Sequence, residues 1–106
     1  MQSERYQRWR EANKDQIKEY ERRRHLKAAF GITSEQFDEM LEVQGGRCAI
    51  CRTDEPKGRG VWHVDHDHAT GKIRALLCYS CNWVLGKVKD DTGLLKEMIS
   101  YLEEHR

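Results

Sequence analysis

The residues best suited to chemistry are four cysteines arranged as two Cys-x-x-Cys pairs, Cys48/Cys51 and Cys78/Cys81. The short turn inside each pair lets both sulfurs bind one ion, so two pairs complete a four-coordinate thiolate shell with no open position for water. A closed shell of this kind is typical of structural zinc. Disulfides or a redox-active pair are the alternative, but two matched pairs are far more specific for zinc than one. The spacing therefore predicts one structural Zn²⁺ ion per chain.

A second chemically active group lies between the two pairs, in the segment His63-Val-Asp-His-Asp-His68. The carboxylate of Asp65, combined with an amide oxygen, is a ligand pair suited to Mg²⁺ or Mn²⁺, and a neutral imidazole such as His66 can take a proton from water near pH 7. In a regular strand these two side chains point to opposite faces, so we expect the chain to leave strand geometry near position 65. We favour catalysis on an oxygen-rich substrate over two alternatives, a solvated loop and a second zinc site made by His63, Asp65, His66 and His68.

Length and composition are those of one small domain with a thin core. The chain has 106 residues, of which 38% are hydrophobic and 35% are charged. No apolar run approaches the length of a membrane span, and the polar N-terminal segment is not a signal peptide. We therefore expect a cytoplasmic protein whose reducing surroundings favour zinc over disulfides. Structural zinc contributes ~10–16 kcal/mol in small peptides, so it is expected to decide whether the body of this chain folds.

The elements that position these residues begin with a predicted long N-terminal helix. Residues 4–29 contain no Gly or Pro and are rich in good helix formers. A narrow, partly aromatic stripe recurs at helical spacing along this segment, formed by Tyr6, Trp9, Asn13, Ile17 and Tyr20. Such a stripe usually packs on the body of the protein or on a second copy, so a homodimer through this helix is one expectation.

Charge is distributed unevenly along the chain, whose net charge is only +1. Residues 1–30 carry nine Lys or Arg against five Asp or Glu, whereas the other 76 residues carry more acids than bases. A basic arm of this kind fits a polyanion such as DNA, and its candidate contacts are Arg22, Arg23 and Arg24. A solvated helix with mixed charges is the equal alternative.

Shorter elements follow the N-terminal helix. Gly31 can end that helix, and Thr33-Ser-Glu-Gln36 is a capping box for the next one, which Gly45-Gly46 ends. Periodicity and turn residues then predict two strands, a short helix and a final amphipathic helix at Val61–Val64, Ile73–Leu77, Asn82–Val88 and 94–102. The chain is thus a small α+β protein, with residues 1–30 as a basic arm and residues 31–106 as a zinc-stabilised domain.

Three segments together resemble a known family. Gly45–Cys51, His63–His68 and Gly71–Asn82, followed by Leu85-Gly86, look like the motifs of the phage recombination endonuclease VII family, in the same order. That family belongs to the HNH nucleases, also called ββα-metal or His-Me finger nucleases. The resemblance spans about residues 30–102. It implies a ββα-metal core stabilised by the four-cysteine zinc site, and a DNA endonuclease.

The resemblance also implies roles for individual residues. Asp65 and Asn82 would hold one divalent ion, Mg²⁺ or Mn²⁺, and His66 would be the general base that activates water. His68 would contact the scissile phosphate or assist the leaving group. The products would carry 5′-phosphate and 3′-hydroxyl ends.

Other residues near the cluster are candidates for DNA contact. Lys72 and Arg74 follow the active-site loop and could bind phosphate, with solvated surface as the equal alternative. Trp62 and Trp83 could stack on bases, although we expect both in the core. Asp67 either orients a histidine or completes the loop.

The resemblance transfers the cleavage chemistry better than it transfers the substrate. Junction-resolving members of the family carry a longer C-terminal region and act as dimers on branched DNA, whereas this sequence has its extra length in the N-terminal helix. We expect hydrolysis of DNA phosphodiesters, by nicking or double-strand cleavage, with little sequence readout. The alternatives are a Holliday-junction resolvase of the same chemistry, a non-catalytic zinc-dependent DNA-binding accessory protein, and a zinc hydrolase of small molecules. Phage DNA-packaging or recombination proteins are candidate partners.

Overall fold

The computed structural model describes residues 3–106, so the first two residues of the predicted arm lie outside it. The described chain has five helices and two strands, in the order α1 Glu4–Ala12, α2 Lys14–Phe30, α3 Ser34–Val43, β1 His63–His66, β2 Ile73–Leu77, α4 Tyr79–Lys87 and α5 Thr92–Glu104. The small α+β class is confirmed. None of these helices is both long and apolar enough to cross a membrane. The chain divides into two compact units between Val43 and Gln44, so α3 lies in the first unit.

The expectation of one long N-terminal helix is wrong, because Asn13 interrupts it. The backbone of Asn13 has φ −110° and ψ 17°, and its side-chain Nδ2 donates to the Trp9 carbonyl at 2.7 Å. A short amide that bonds the nearby backbone competes with regular helix geometry. The interruption is local, since the N–H of Ile17 still donates to the Asn13 carbonyl at 3.0 Å.

The predicted junction between the second and third helices is confirmed. Gly31 adopts the left-handed conformation, with φ 69°, and its N–H donates to the Lys27 carbonyl at 2.9 Å. The N–H of Thr33 donates to Gln36 Oε1 at 2.8 Å, and the N–H of Gln36 donates to Thr33 Oγ1 at 3.0 Å. These reciprocal bonds form the capping box that begins α3.

The strands of the second unit are antiparallel and pair His63 with Leu77 and Val64 with Leu76. β1 begins two residues later than predicted, because β2 ends opposite His63, where Cys78 turns away to cap the next helix. The Asp/His cluster therefore lies partly within the strand and not only after it.

Helix α4 begins three residues earlier than predicted. Cys78 is its N-cap, and the Cys78 sulfur accepts a hydrogen bond from the N–H of Cys81 at 3.5 Å. The sequence-based start at Asn82 missed this cap, because the helix begins within the second cysteine pair. α4 contacts both β1 and β2.

The core of the second unit is built around the cysteines. Cys48, Leu77 and Cys78 are buried together, and three partly buried side chains pack against them, namely Trp62, Cys81 and Leu85. In α5 the Asp91 side chain caps the first turn, but the apolar face remains largely exposed along Leu94, Met98, Ile99, Tyr101 and Leu102. Part of the apolar burial in this unit is therefore next to the thiols, and Val64, Leu76 and Val88 are buried outside this cluster.

Candidate functional site

The four cysteine sulfurs lie within 4.8 Å of one another. The sulfurs of Cys51 and Cys78 are 3.7 Å apart. In a tetrahedral site with Zn–S bonds of about 2.3 Å, neighbouring sulfurs are about 3.8 Å apart, so the spacing fits zinc. The sequence prediction that the two pairs converge is confirmed, and the cluster suggests a structural zinc site.

Backbone donors favour the thiolate form of Cys48, whereas burial raises the pKa of the Cys81 thiol to about 12. The N–H of Ile50 donates to the Cys48 sulfur at 3.4 Å. Burial raises the pKa of the Cys48 thiol, but hydrogen bonds from backbone groups outweigh burial and bring the pKa to about 6. Metal binding requires the deprotonated sulfur, so these donors prepare the site for a cation.

Two arginines stabilise the first cysteine turn through its backbone. Arg47 Nη1 donates to the Arg52 carbonyl at 3.0 Å, and Arg52 Nη2 donates to the Gln44 carbonyl at 3.2 Å. Gln44 in turn ties this turn to β2, since its side chain donates to and accepts from the backbone of Leu76. The cysteine turn and the sheet are thereby held together.

Asp65 sits at an irregularity in the sheet. Val64 pairs with Leu76 and His66 with Ile73, so β2 has one more residue than β1 between these pairs. The expected departure from regular strand geometry near position 65 is thus observed. Asp65 has only 9% of its surface exposed, although Val64 beside it is buried as well. A regular strand would place two consecutive side chains on opposite faces.

The carboxylate of Asp65 is held by an arginine of β2. Arg74 Nε donates to Asp65 Oδ2 at 2.6 Å and Arg74 Nη2 donates to Asp65 Oδ1 at 2.9 Å. The same Nη2 donates to Asp90 Oδ2 at 3.3 Å. The hydrogen bond to Asp65 raises the pKa of Arg74 above its usual range. Arg74, a candidate phosphate contact from the sequence, is therefore engaged by two carboxylates.

The histidines divide into two groups. The rings of His66 and His68 have their centroids 4.7 Å apart, whereas the His63 ring lies 6.0 Å from that of Tyr79. Within residues 3–106, the four cysteines are the only group of three or more His, Cys, Asp or Glu side chains close enough to share an ion. The alternative second zinc site made from the Asp/His cluster is therefore not formed.

Asp67 completes the loop after β1. Its Oδ1 accepts hydrogen bonds from the N–H groups of Ala69 at 2.8 Å and Thr70 at 3.0 Å. These bonds from Thr70 and Ala69 lower the pKa of Asp67. Of the two roles considered for Asp67, orienting a histidine or completing the loop, the structure shows the second, because its carboxylate accepts hydrogen bonds from the loop backbone.

Asn82 is half-buried in α4, immediately after Cys81. Because α4 contacts both strands, the helix that bears Asn82 packs on the strand that bears Asp65. Trp83, the next residue, is 52% exposed, with Lys87 Nζ 5.2 Å from its ring centroid. Our expectation that Trp83 lies in the core is wrong, since the inner face of this short helix is occupied by Cys81 and Leu85.

The predicted cationic contacts of the arm already have partners. Arg22 pairs with Asp38 at 3.0 Å, and Arg23 pairs with Glu35 at 3.1 Å. Arg24 lies over the Tyr20 ring at 6.0 Å. Lys72, beside β2, is exposed. All of these side chains except that of Lys72 would have to share or exchange partners to bind a phosphate.

The sequence analysis missed one residue of the site, Asp90. Asp90 lies in the turn before the last helix, and its partner Arg74 is 16 positions away. No local pattern joins these two residues.

These features define a small α+β protein in which a four-cysteine cluster lies beside a strand bearing an aspartate and histidines. The family model for recombination endonuclease VII matches residues 23–104, and the chain belongs to this family.

Two phage proteins are similar to this chain. It is 44% identical over 78 residues to the Gene 59 protein of Mycobacterium phage D29, which covers 73% of this chain and 47% of that protein. It is 43% identical over 76 residues to the Gene 59 protein of Mycobacterium phage L5, which covers 71% of this chain and 46% of that protein. The chain thus spans about half the length of these relatives. No solved structure matches it.

Proposed function

We propose that this protein is a metal-dependent DNA endonuclease of the HNH, or ββα-metal, type. The observation that carries the proposal is the family match, which includes both cysteine pairs and the Asp/His cluster. The order of β1, β2 and α4, with the helix against both strands, is compatible with a ββα-metal core.

In this proposal Asp65 and Asn82 hold Mg²⁺ or Mn²⁺. Their carboxylate and amide oxygens are the ligand types that such ions prefer, with water and substrate completing the shell. When bound, the ion supplies charge stabilisation to the phosphate and to the departing 3′ oxygen. Asn82 directly follows Cys81, so the zinc cluster fixes the start of the helix that presents the amide.

The histidines carry the proton transfers in this proposal. His66 takes a proton from the attacking water, and His68 contacts the scissile phosphate or assists the leaving group. Their rings lie side by side, and Asp67 between them fixes the loop through its backbone bonds. The cleavage leaves 5′-phosphate and 3′-hydroxyl ends.

DNA binding is expected to depend on phosphates more than on bases. Lys72 near the cluster and the Arg22–Arg24 segment of the arm supply positive charge, and such contacts carry little sequence information. We place the reaction in the cytoplasm of a phage host, since the similar proteins belong to phages. A homodimer through the N-terminal helical segment, and phage DNA-packaging or recombination proteins as partners, are proposals of the same kind.

The direct test is nicking of supercoiled plasmid with and without EDTA, comparing the wild type with His66→Ala. We expect EDTA to abolish nicking and the substitution to slow it about 10²–10⁴-fold, the range for loss of a general base. His105→Ala is the matched control, because His105 lies at the end of α5 and contacts Tyr101. Equal cleavage by the two variants would reject His66 as the base.

One observation favours a second candidate, a non-catalytic zinc-dependent DNA-binding protein. Both carboxylate oxygens of Asp65 are engaged by Arg74, which leaves this side chain in an ion pair. Binding of DNA without cleavage in Mg²⁺, Mn²⁺ and Ni²⁺ would support that candidate. Including four-way-junction DNA beside linear, supercoiled and single-stranded DNA separates a general nuclease from a branched-DNA resolvase.

A further inference from the structure

Two residues of the second unit that are linked to Asp65, namely Arg74 and Asp90, have no role in the chemistry proposed above. Arg74 forms two hydrogen bonds to Asp65 and shares its Nη2 with Asp90. Asp65 is nearly buried, and Arg74 and Asp90 retain about a third of their side-chain surface exposed. A bidentate pair between a guanidinium and a nearly buried carboxylate is among the stronger polar contacts in proteins.

The position of Asp90 is built by an unusual turn. Lys89 and Asp90 both have positive φ, at 52° and 56°, a region that non-glycine residues rarely adopt. The N–H of Asp90 donates to the Leu85 carbonyl at 3.1 Å and that of Lys89 donates to the Gly86 carbonyl at 3.3 Å. The end of α4 thus holds the carboxylate of Asp90 beside an arginine of β2. Two consecutive left-handed residues are kept where they serve this contact.

A divalent ion at Asp65 conflicts with Arg74. The arginine bonds both oxygens of the carboxylate, and its positive charge would repel a cation bound to the same group. Since charge repulsion opposes simultaneous binding, the ion binds Asp65 more readily when the guanidinium gives up at least one of its two bonds. Asp90 is a second carboxylate already at 3.3 Å from Nη2, and it can retain the arginine when that happens.

We propose that Arg74 is a latch on Asp65. It holds the carboxylate in the metal-free protein, and Asp90 keeps the released guanidinium when a divalent cation binds Asp65. Arg74 and Asp90 are then positioning residues that set how readily the ion enters. This inference rests on the proposed function, because it requires Asp65 to be a cation ligand.

The first test measures Mn²⁺ affinity of the zinc-loaded full chain without DNA, by electron paramagnetic resonance. Arg74→Gln removes the competitor, so we expect Mn²⁺ to bind about tenfold more tightly, equivalent to about 1.4 kcal/mol. Lys89→Gln is the matched control. It also removes a positive charge near Asp90, but Lys89 is not part of the ion pair with Asp65. Its affinity should stay within about twofold of the wild type. Weaker Mn²⁺ binding by Arg74→Gln would show that Arg74 helps Asp65 to bind the ion, and would overturn the latch.

The second test removes the carboxylate of Asp90, the alternative partner of Arg74. Asp90→Asn should weaken Mn²⁺ binding, because the arginine then has Asp65 as its remaining carboxylate. Asp91→Asn is the control: it removes the neighbouring charge, and asparagine retains an oxygen that can cap α5. In the Arg74→Gln background, Asp90→Asn should have no larger effect than Asp91→Asn. If Asp90→Asn weakened Mn²⁺ binding as much in the Arg74→Gln background as in the wild type, the proposal would be contradicted.

Two further variants separate failure of the latch from failure of the site or of the fold. If Asp65→Asn binds Mn²⁺ as the wild type does, the proposed metal site itself is rejected. Zinc content and circular dichroism report folding of each variant. Arg74→Lys keeps the charge but cannot form two parallel bonds, so its affinity should lie between those of the wild type and Arg74→Gln. Affinity equal to the wild type for both Arg74 variants would overturn the latch.

Discussion

Cys81 and Asn82 are neighbours in α4, and the proposed function assigns them to two different metal sites. The sulfur of Cys81 faces the buried cysteine cluster, and the amide of Asn82 is the proposed partner of Asp65 in a second metal site. A thiolate suits zinc, whereas an amide oxygen suits Mg²⁺ or Mn²⁺. The separation of the two sites therefore depends on ligand type, with one short helix positioning both residues.

Substitution of Asn82 tests this separation. Asn82→Ala should retain one zinc per chain, because all four sulfurs remain, and should weaken Mn²⁺ binding at least about tenfold through loss of a ligand. Elemental analysis and a Mn²⁺ titration measure the two effects. Ser80→Ala, an exposed change in the same helix, should alter neither. Loss of zinc from Asn82→Ala would argue against two independent sites.

At the residue scale, the sequence predicted the cysteine cluster but did not predict which side chains form ion pairs. The cysteine pairs converge as predicted, because spacing and ligand type are sufficient to recognise a thiolate site. The pairing of Asp65 with Arg74 was not predicted, since it depends on the register of β2. The contact of Arg74 with Asp90 depends further on the left-handed turn after α4. Neither Lys89 nor Asp90 is a glycine, the residue that usually indicates such a left-handed turn.

At the scale of elements, local capping signals predicted helix ends correctly. Side chains that bond to the helix backbone, and so interrupt or start a helix, were not predicted. The capping box at Thr33 and the left-handed Gly31 are both observed, because each depends on residues within one turn. Asn13 was counted as a member of a helical stripe, and its side chain instead bonds the Trp9 carbonyl. Cys78 was assigned only to the metal, yet it also caps α4.

Removing the Asn13 side chain should join the first two helices. Asn13→Ala loses the bond to the Trp9 carbonyl and introduces the best helix former, a gain of about 0.5 kcal/mol. We expect the Cα chemical shifts of residues 12–14 to become helical, as measured by NMR. Gln16→Ala, inside α2, is the matched control and should leave those shifts unchanged. Non-helical shifts at residue 13 in Asn13→Ala would show that another contact causes the interruption.

At the scale of the whole molecule, all four cysteines lie in the unit Gln44–Arg106. That unit has few buried apolar side chains, and Leu77 is buried together with two of the thiols. The unit that ends at Val43 has its own capping bonds and ion pairs between α2 and α3. The compact units divide after Val43, so α3 is grouped with the N-terminal helices, with which it forms ion pairs distant in sequence.

Removal of zinc should therefore affect the two units differently. A strong chelator takes away binding energy of ~10–16 kcal/mol, about as much as a small domain has in total, so the second unit should lose its sheet. Hydrogen exchange of the amides in β1 and β2 should become fast, whereas exchange in α2 should change less than about twofold, because no ligand lies there. Restoring zinc should restore protection. Continued protection of the sheet in the zinc-free chain would show that the few buried side chains suffice, and that the cysteine cluster is not what holds the proposed catalytic residues in place.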